Sequence, residues 1–150
     1  MEGFESLFET DSASESEGKW VQIGNAEYLL ARAGGANTRY AKEMAAALRP
    51  HQRRIQLGQM TNEEGMKLAV GPFVNTVLLN WRMKNPADKA DDAQPVEGKL
   101  FSKDGSEVVY SKAKAKEVLL RFTDLFMALQ EQASNIANYT PEDAEADAGN

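Results

Sequence analysis

The 150-residue chain contains no cysteine and a single histidine, His51. Without cysteine there are no disulfide bonds, catalytic thiolates or cysteine-ligated metals. One imidazole excludes sites built from several histidines and leaves little scope for a histidine-dependent triad. No apolar run approaches the ~20 residues of a membrane-spanning helix, and the first residues are acidic where a secretory signal would be basic. We expect a soluble protein that is not an enzyme, with no cofactor, no metal and no membrane partner.

Basic residues are also absent from both ends of the chain. Residues 1–18 contain six acidic side chains, residues 141–150 contain four, and all 17 lysines and arginines lie between them. Both ends are poor in large apolar residues, so they cannot offset the entropy of ordering. The sequence therefore predicts disordered acidic tails at 1–18 and 141–150 and a single folded domain at 19–140. A mobile polar loop is predicted at about 84–99.

Three apolar residues interrupt the first tail. Phe4, Leu7 and Phe8 have the i, i+3, i+4 spacing of one helix face. Such a face could anchor the tail in a partner's groove. The alternative is a tail that only keeps the protein soluble.

The predicted domain begins with a β-hairpin. Two extended runs flank Gly24-Asn25, a dipeptide typical of a tight turn. A hairpin is marginally stable alone, so it needs a third strand or a helix to cover it. The chain then reaches Gly34 and Gly35, which suit a tight turn, and Asn37, whose side chain can cap the following helix. We interpret Gly34, Gly35 and Asn37 as a strand-to-helix hinge, since no phosphate-loop spacing occurs here.

Helical patterns account for most of the remaining domain. Residues 37–57 predict a helix interrupted at Pro50. A capping box at Thr61 opens a second helix over 61–83, with a kink or split at Pro72. Lys103-Asp-Gly-Ser106 predicts the turn of a second hairpin, and Ser111 caps a long helix to about residue 139. The fold class is α+β and mostly helical, with two hairpins packed on three to four helices.

Six apolar residues on the last two predicted helices are our candidates for partner binding. Their helical spacing predicts an apolar face that belongs either to the core or to a binding surface. They are Phe73, Val77, Trp81, Phe122, Phe126 and Leu129.

The order of short motifs along residues 19–139 is the basis for a family resemblance. After the hairpin come Arg32-Ala33-Gly34-x-x-Asn37-x-x-Tyr40, Arg49-Pro50, Trp81, Asp104-Gly105, Tyr110-Ser111 and Phe126. This order resembles the tail assembly chaperones of long-tailed (siphovirus-like) bacteriophages. One departure is the insertion at 84–103, because the family usually passes quickly from its tryptophan to the Asp-Gly turn.

The resemblance implies a non-enzymatic assembly factor. Such chaperones bind the tape measure protein and help to recruit tail tube subunits around it. The resemblance also implies work in the host cytoplasm and absence from the mature virion. Self-association is a further possibility, and the oligomeric state stays open. Two alternatives stay open. One is a structural tail or head-tail component of the virion, and the other is a regulatory or nucleic-acid-binding module that uses the basic residues between Lys42 and Arg54. For that patch we favour a solvated helix face over a nucleic-acid site.

Overall fold

Two antiparallel sheets and a set of helices make up residues 3–141, the part of the chain that a computed structural model describes. The strands are β1 (Lys19–Ile23), β2 (Ala26–Leu30), β3 (Leu78–Met83), β4 (Val96–Glu97), β5 (Lys99–Phe101) and β6 (Glu107–Val109). The α-helices are α1 (Ser12–Glu17), α2 (Thr38–Leu48), α3 (Gln52–Gln56), α4 (Asn62–Thr76), α5 (Lys112–Arg121) and α6 (Thr123–Ser134). Short 3-10 turns lie at Phe4–Leu7, Arg49–His51 and Ile136–Tyr139. The predicted α+β, mainly helical class is confirmed.

Both predicted hairpins form. Strands β1 and β2 pair across Gly24-Asn25, and Gly24 has a φ of +63° that favours glycine. Strands β5 and β6 pair across the turn that contains Asp104 and Gly105. The first hairpin obtains the cover that it needs from β3, which extends the larger sheet to the order β1-β2-β3-β4.

The prediction of a helix over 61–83 is wrong at its C-terminal end. Helix α4 ends at Thr76, and Trp81 lies on β3, directly opposite Tyr28 of β2. The apolar spacing fits a helix, but from Leu78 onward the backbone pairs with the open edge of β2 and bonds its free amide and carbonyl groups instead. The register shifts near Leu79, so that Leu30 pairs with Leu78 while Leu29 pairs with Asn80. Tertiary pairing thus overrides the helical pattern.

Proline does not split α4. The helix continues through Pro72 to Thr76 as one element, and the Thr76 hydroxyl donates a hydrogen bond of 2.8 Å to the Pro72 carbonyl. The predicted capping bond at the start of the helix forms, with the Glu64 amide donating to Thr61 Oγ1 at 3.1 Å.

The long helix predicted after Ser111 is two helices. Ser111 accepts the capping bond from the Lys114 amide at 3.0 Å, as predicted. The backbone then leaves helical angles at Phe122 (φ −111°, ψ 76°), where α5 ends and α6 begins. Thr123 and Asp124 are weak formers of a helix interior, and an acidic side chain stabilises a helix start.

The core lies between the larger sheet and helices α4, α5 and α6. Phe73 of α4 meets Phe126 of α6 edge to face, with ring centroids 5.1 Å apart. Trp81 and Tyr110 form a similar pair at 5.2 Å. The first pair joins two helices and the second joins β3 to the segment after β6, and the buried residues of helices and sheet form one core.

Two segments for which the sequence analysis predicts no regular structure contain a helix or a strand. Helix α1 falls within the segment predicted as the first tail, and the side chain of its Glu15 is buried. Strand β4 falls within the predicted loop at 84–99 and pairs with β3. The mobility of that loop stays a prediction. All of the predicted C-terminal tail after Pro141 lies outside the described residues.

Candidate functional site

The connection from β2 to α2, residues 30–37, is bonded to distant parts of the chain. We call these residues the junction. The Ala31 amide donates to the Val77 carbonyl at 2.9 Å, and the Ala33 amide donates to the Ala133 carbonyl at 2.9 Å. These bonds join β2 to the end of α4 and to α6. The junction therefore fixes the relative positions of the sheet and two helices.

Asn37 has a role in this junction that differs from the predicted one. Its side chain accepts no capping bond from α2. Its amide nitrogen instead donates to the carbonyls of Arg32 and Thr76, each at 2.9 Å. The expectation of an N-cap acceptor is thus wrong, because the buried side chain is turned toward two backbone carbonyls that need a donor.

A buried carboxylate holds the glycine turn of the junction. Glu15 accepts a hydrogen bond from the Ala36 amide and forms an ion pair with Arg32 at 3.1 Å. Burial by itself raises the pKa of Glu15, but the bonds from Ala36, Thr10 and Arg32 outweigh it, so the pKa is lowered. The charged form of Glu15 is therefore the one that the fold stabilises.

The two glycines of the turn have backbone angles that side chains rarely adopt. Gly34 has a φ of +135° and Gly35 a φ of +56°. A Cβ atom on Gly35 would also overlap the Glu15 carboxylate and approach the Arg32 guanidinium. Glycine is thus required at position 35 for both backbone conformation and space.

Tyr139 closes the junction from the C-terminal side. Its buried hydroxyl lies 3.2 Å from the carbonyl oxygens of both Leu30 and Ala31. Burial raises the pKa of Tyr139 well above its ordinary value, so the group stays a neutral donor. Its own carbonyl accepts a bond of 2.7 Å from the Asp11 amide. The region is therefore a structural node joining both ends of the described chain.

Five of the six residues predicted as partner-binding candidates lie in the core. Phe73, Val77, Trp81, Phe126 and Leu129 are fully buried. The Trp81 indole nitrogen donates to the Val108 carbonyl at 3.1 Å, which ties β3 to the second hairpin. Phe122, at the break between α5 and α6, is the member of the set whose side chain reaches solvent.

Phe122 is one of three large apolar side chains exposed around that break. The exposed fractions are 48% for Leu120, 50% for Phe122 and 54% for Met127. We call these three residues the α5–α6 surface. The sequence analysis missed Leu120 and Met127, although both are apolar residues outside the stripe that faces the core.

A groove runs between the second hairpin and α5, beside Phe122. Its volume is about 670 Å³. Val108, Val118 and Phe122 supply apolar surface, and the Arg121 guanidinium lies 5.0 Å from the Phe122 ring centroid. We call this the hairpin–helix groove. It is large enough for a few side chains of a partner segment.

The other features to consider are a metal site, a membrane-spanning helix and the basic patch between Lys42 and Arg54. Within residues 3–141, no group of three or more histidine, cysteine or acidic residues could hold a metal ion. No helix in the same range is long and apolar enough to cross a bilayer. In the basic patch, Arg54 forms an ion pair with Glu64, which neutralises part of its charge.

The comparison with known families places the chain. The family model of the YdaY prophage protein matches residues 35–150. The chain belongs to the YdaY prophage protein family. The match confirms the phage-derived origin that the resemblance implies. No curated protein and no solved structure matches the chain. The family match begins at Gly35, inside the junction, so the first hairpin and Glu15 precede the matched region.

Proposed function

We propose that this YdaY family protein is a non-enzymatic tail assembly chaperone, which binds the tape measure protein and assists the recruitment of tail tube subunits. Its phage-derived family is consistent with a role in particle assembly. The motif order described above adds the resemblance to tail assembly chaperones. The observation that carries the proposal is the α5–α6 surface, where three large apolar side chains remain about half exposed.

The exposed side chains suit a helical client. Apolar residues at i, i+3, i+4 and i+7 of an amphipathic helix form a stripe that can cover a surface of this kind. Aromatic and methionine side chains are effective there, because they bury large areas and adapt to varied partners. Leu120, Phe122 and Met127 provide this chemistry on two successive helices. The fully buried candidates, such as Phe126, belong to the core that holds these helices in place.

The acidic ends of the chain fit the same role. The first 18 residues carry no positive charge against six acidic side chains. On a client coated with several copies, such ends would repel other coated clients and limit aggregation.

Co-expression with the tape measure protein of the same prophage tests the proposal. We expect the client to stay soluble and to co-purify with the wild-type chain. A Phe122→Ser/Met127→Ser variant should lose most of the co-purified client while keeping its helical circular dichroism. Leu57→Ser is the matched control, since Leu57 is an exposed apolar residue beside α3. An insoluble client with no complex would contradict the proposal.

The composition of purified phage particles separates this function from the structural alternative. A chaperone acts in the host cytoplasm and leaves before the particle is complete, so mass spectrometry of mature virions should not detect it. Detection in stoichiometric amounts would favour a tail or head-tail component instead.

A further inference from the structure

One wall of the hairpin–helix groove is a single face of α5 and its C-terminal end. The wall consists of Lys114, Glu117, Val118, Arg121 and Phe122, each of which lies three or four residues from another. At about 3.6 residues per turn, Val118 and Phe122 lie along one edge of this face, and Glu117 and Arg121 lie along the other. The wall therefore has an apolar edge beside a charged edge.

The second hairpin forms the opposite wall. Its turn contributes Lys103 and Asp104, and Val108 of β6 adds apolar surface. Apolar surface from both walls thus borders a space of about 670 Å³. Lys103 on the hairpin and Arg121 on the helix are exposed cations on its two sides.

The acidic groups of the groove already have partners. Asp104 accepts bonds from the Ser106 amide and hydroxyl, and Glu117 forms an ion pair with Lys114 at 3.2 Å. Lys103 and Arg121, by contrast, form no ion pair within residues 3–141. The charge that the groove offers to a partner is therefore positive.

Helix α5 as a whole is basic in an acidic protein. Its sequence contains four basic residues and one acidic residue, whereas the full chain has a formal net charge of -6. A local field of this sign attracts acidic segments and disfavours basic ones.

Phe122 belongs to both the groove and the α5–α6 surface. With 50% of its side chain exposed, it connects the apolar edge of the groove to Leu120 and Met127. Helix α5 has 10 residues and is therefore about 15 Å long. A partner helix of roughly three turns is enough to cover that length.

We propose that the client segment held here is an acidic amphipathic helix. Its apolar stripe packs on Val108, Val118 and Phe122, and carboxylates at the edge of the stripe pair with Lys103 and Arg121. This inference rests on the proposed function, since it names the chemical class of the client segment that the same surface takes. A basic helix with the same stripe would bury similar apolar area but would face uncompensated positive charge, so charge selects among helical segments.

Overlapping helix-length peptides that tile the tape measure protein of the same prophage test the proposal. Their binding to the full chain is measured by fluorescence anisotropy, together with a designed acidic amphipathic peptide that is unrelated to the phage. We expect the bound peptides to be amphipathic and net negative, and to gain helical circular dichroism on binding. Their affinity should fall as the salt concentration rises.

Charge reversal in the groove should weaken this binding. Lys103→Glu/Arg121→Glu should bind the acidic peptides at least about tenfold more weakly. Both positions are exposed, so the variant should keep its helical circular dichroism. Lys42→Glu/Arg53→Glu is the matched control, because it makes the same change in net charge at exposed positions of α2 and α3. It should bind like the wild type.

Exchanging the carboxylates of the tightest peptide for lysines gives the sharper readout. The lysine form should lose affinity for the wild type and regain it with Lys103→Glu/Arg121→Glu, since the apolar stripe is unchanged. Binding regardless of peptide charge, no binding by any peptide, or an equal loss in the control variant would overturn the proposal. A tape measure protein held at Phe122 through neutral or basic segments would overturn it and leave the chaperone function standing. Binding of the designed peptide alone would support the charge preference and count against the chaperone function.

Discussion

Replacing Asn37 with aspartate separates two roles for the same side chain. As a helix cap that accepts bonds, position 37 would tolerate aspartate as well as asparagine, and the negative charge would favour the helix start. In the structure the Asn37 amide instead donates to the carbonyls of Arg32 and Thr76, each at 2.9 Å. A carboxylate cannot donate, and it would face two carbonyl oxygens within a buried site.

The magnitude follows from those two bonds. A buried acceptor left without its donor costs about 1–3 kcal/mol. Two such carbonyls, one buried and one partly buried, give an expected loss of about 2–4 kcal/mol for Asn37→Ala. Asn37→Asp should lose more at pH 7, because the ionised carboxylate is also desolvated. Protonation lets the carboxyl donate one bond, so the deficit of Asn37→Asp should shrink in acid.

Urea unfolding followed by tryptophan fluorescence measures this loss. Trp81 is fully buried beside the second hairpin, so its emission reports on the core. We expect lower unfolding midpoints with an unchanged denaturant slope for both Asn37 variants. Asn25→Ala, in the exposed turn of the first hairpin, is the control and should change little. An Asn37→Asp protein as stable as the wild type at pH 7 would refute the donor role.

Three further substitutions test the same node and the core beside it. Gly35→Ala should destabilise the fold by well over the ~1 kcal/mol expected for the control Gly58→Ala. Both glycines have a positive φ, but of the two only Gly35 lies against the Glu15 carboxylate. Equal losses of stability would contradict this expectation. Because the fold lowers the pKa of Glu15, its contribution is present above about pH 4.5 and is lost as the pH falls through the folded-state value. Glu15→Gln should therefore be less stable at pH 7 with a flatter acid profile, and a parallel profile in thermal melts would count against the ion pair. Trp81→Phe should cost about 1–3 kcal/mol in urea unfolding through the lost bond to Val108, and no loss would argue against that bond.

Local signals in the sequence predicted the elements whose boundaries depend on neighbouring residues. Gly24-Asn25 and Asp104-Gly105 mark the turns of the two hairpins, and Ser111 and Thr61 cap their helices as expected. In each case the deciding interaction lies within a few residues of the signal. Sequence pattern is sufficient there, because turn and cap chemistry is local.

The errors occur where distant partners decide the outcome. The run from Val77 to Trp81 has helical spacing, yet Leu78–Met83 forms a strand because β2 has an edge to pair. Asn37 looks like a cap, but the Thr76 carbonyl that it serves is 39 positions away. Neither partner can be identified from local sequence.

Only part of the candidate site could be predicted from the sequence, because the exposure of a side chain also depends on distant contacts. Apolar spacing correctly selected residues that matter for packing, but it could not separate Phe126, which is buried, from Phe122, which is half exposed. That difference depends on the helix break at Phe122, and no proline or glycine marks it in the sequence. Leu120 and Met127 could have been found as apolar residues that lie off the core stripe.

Hydrogen–deuterium exchange of the chain, alone and with the tape measure protein, tests the chaperone assignment most directly. A client bound on the α5–α6 surface should slow amide exchange around residues 118–129 and leave α3 unchanged. The Phe122→Ser/Met127→Ser variant should not acquire this protection. Absence of a complex, or protection confined to α3 with no change near Phe122, would contradict the assignment.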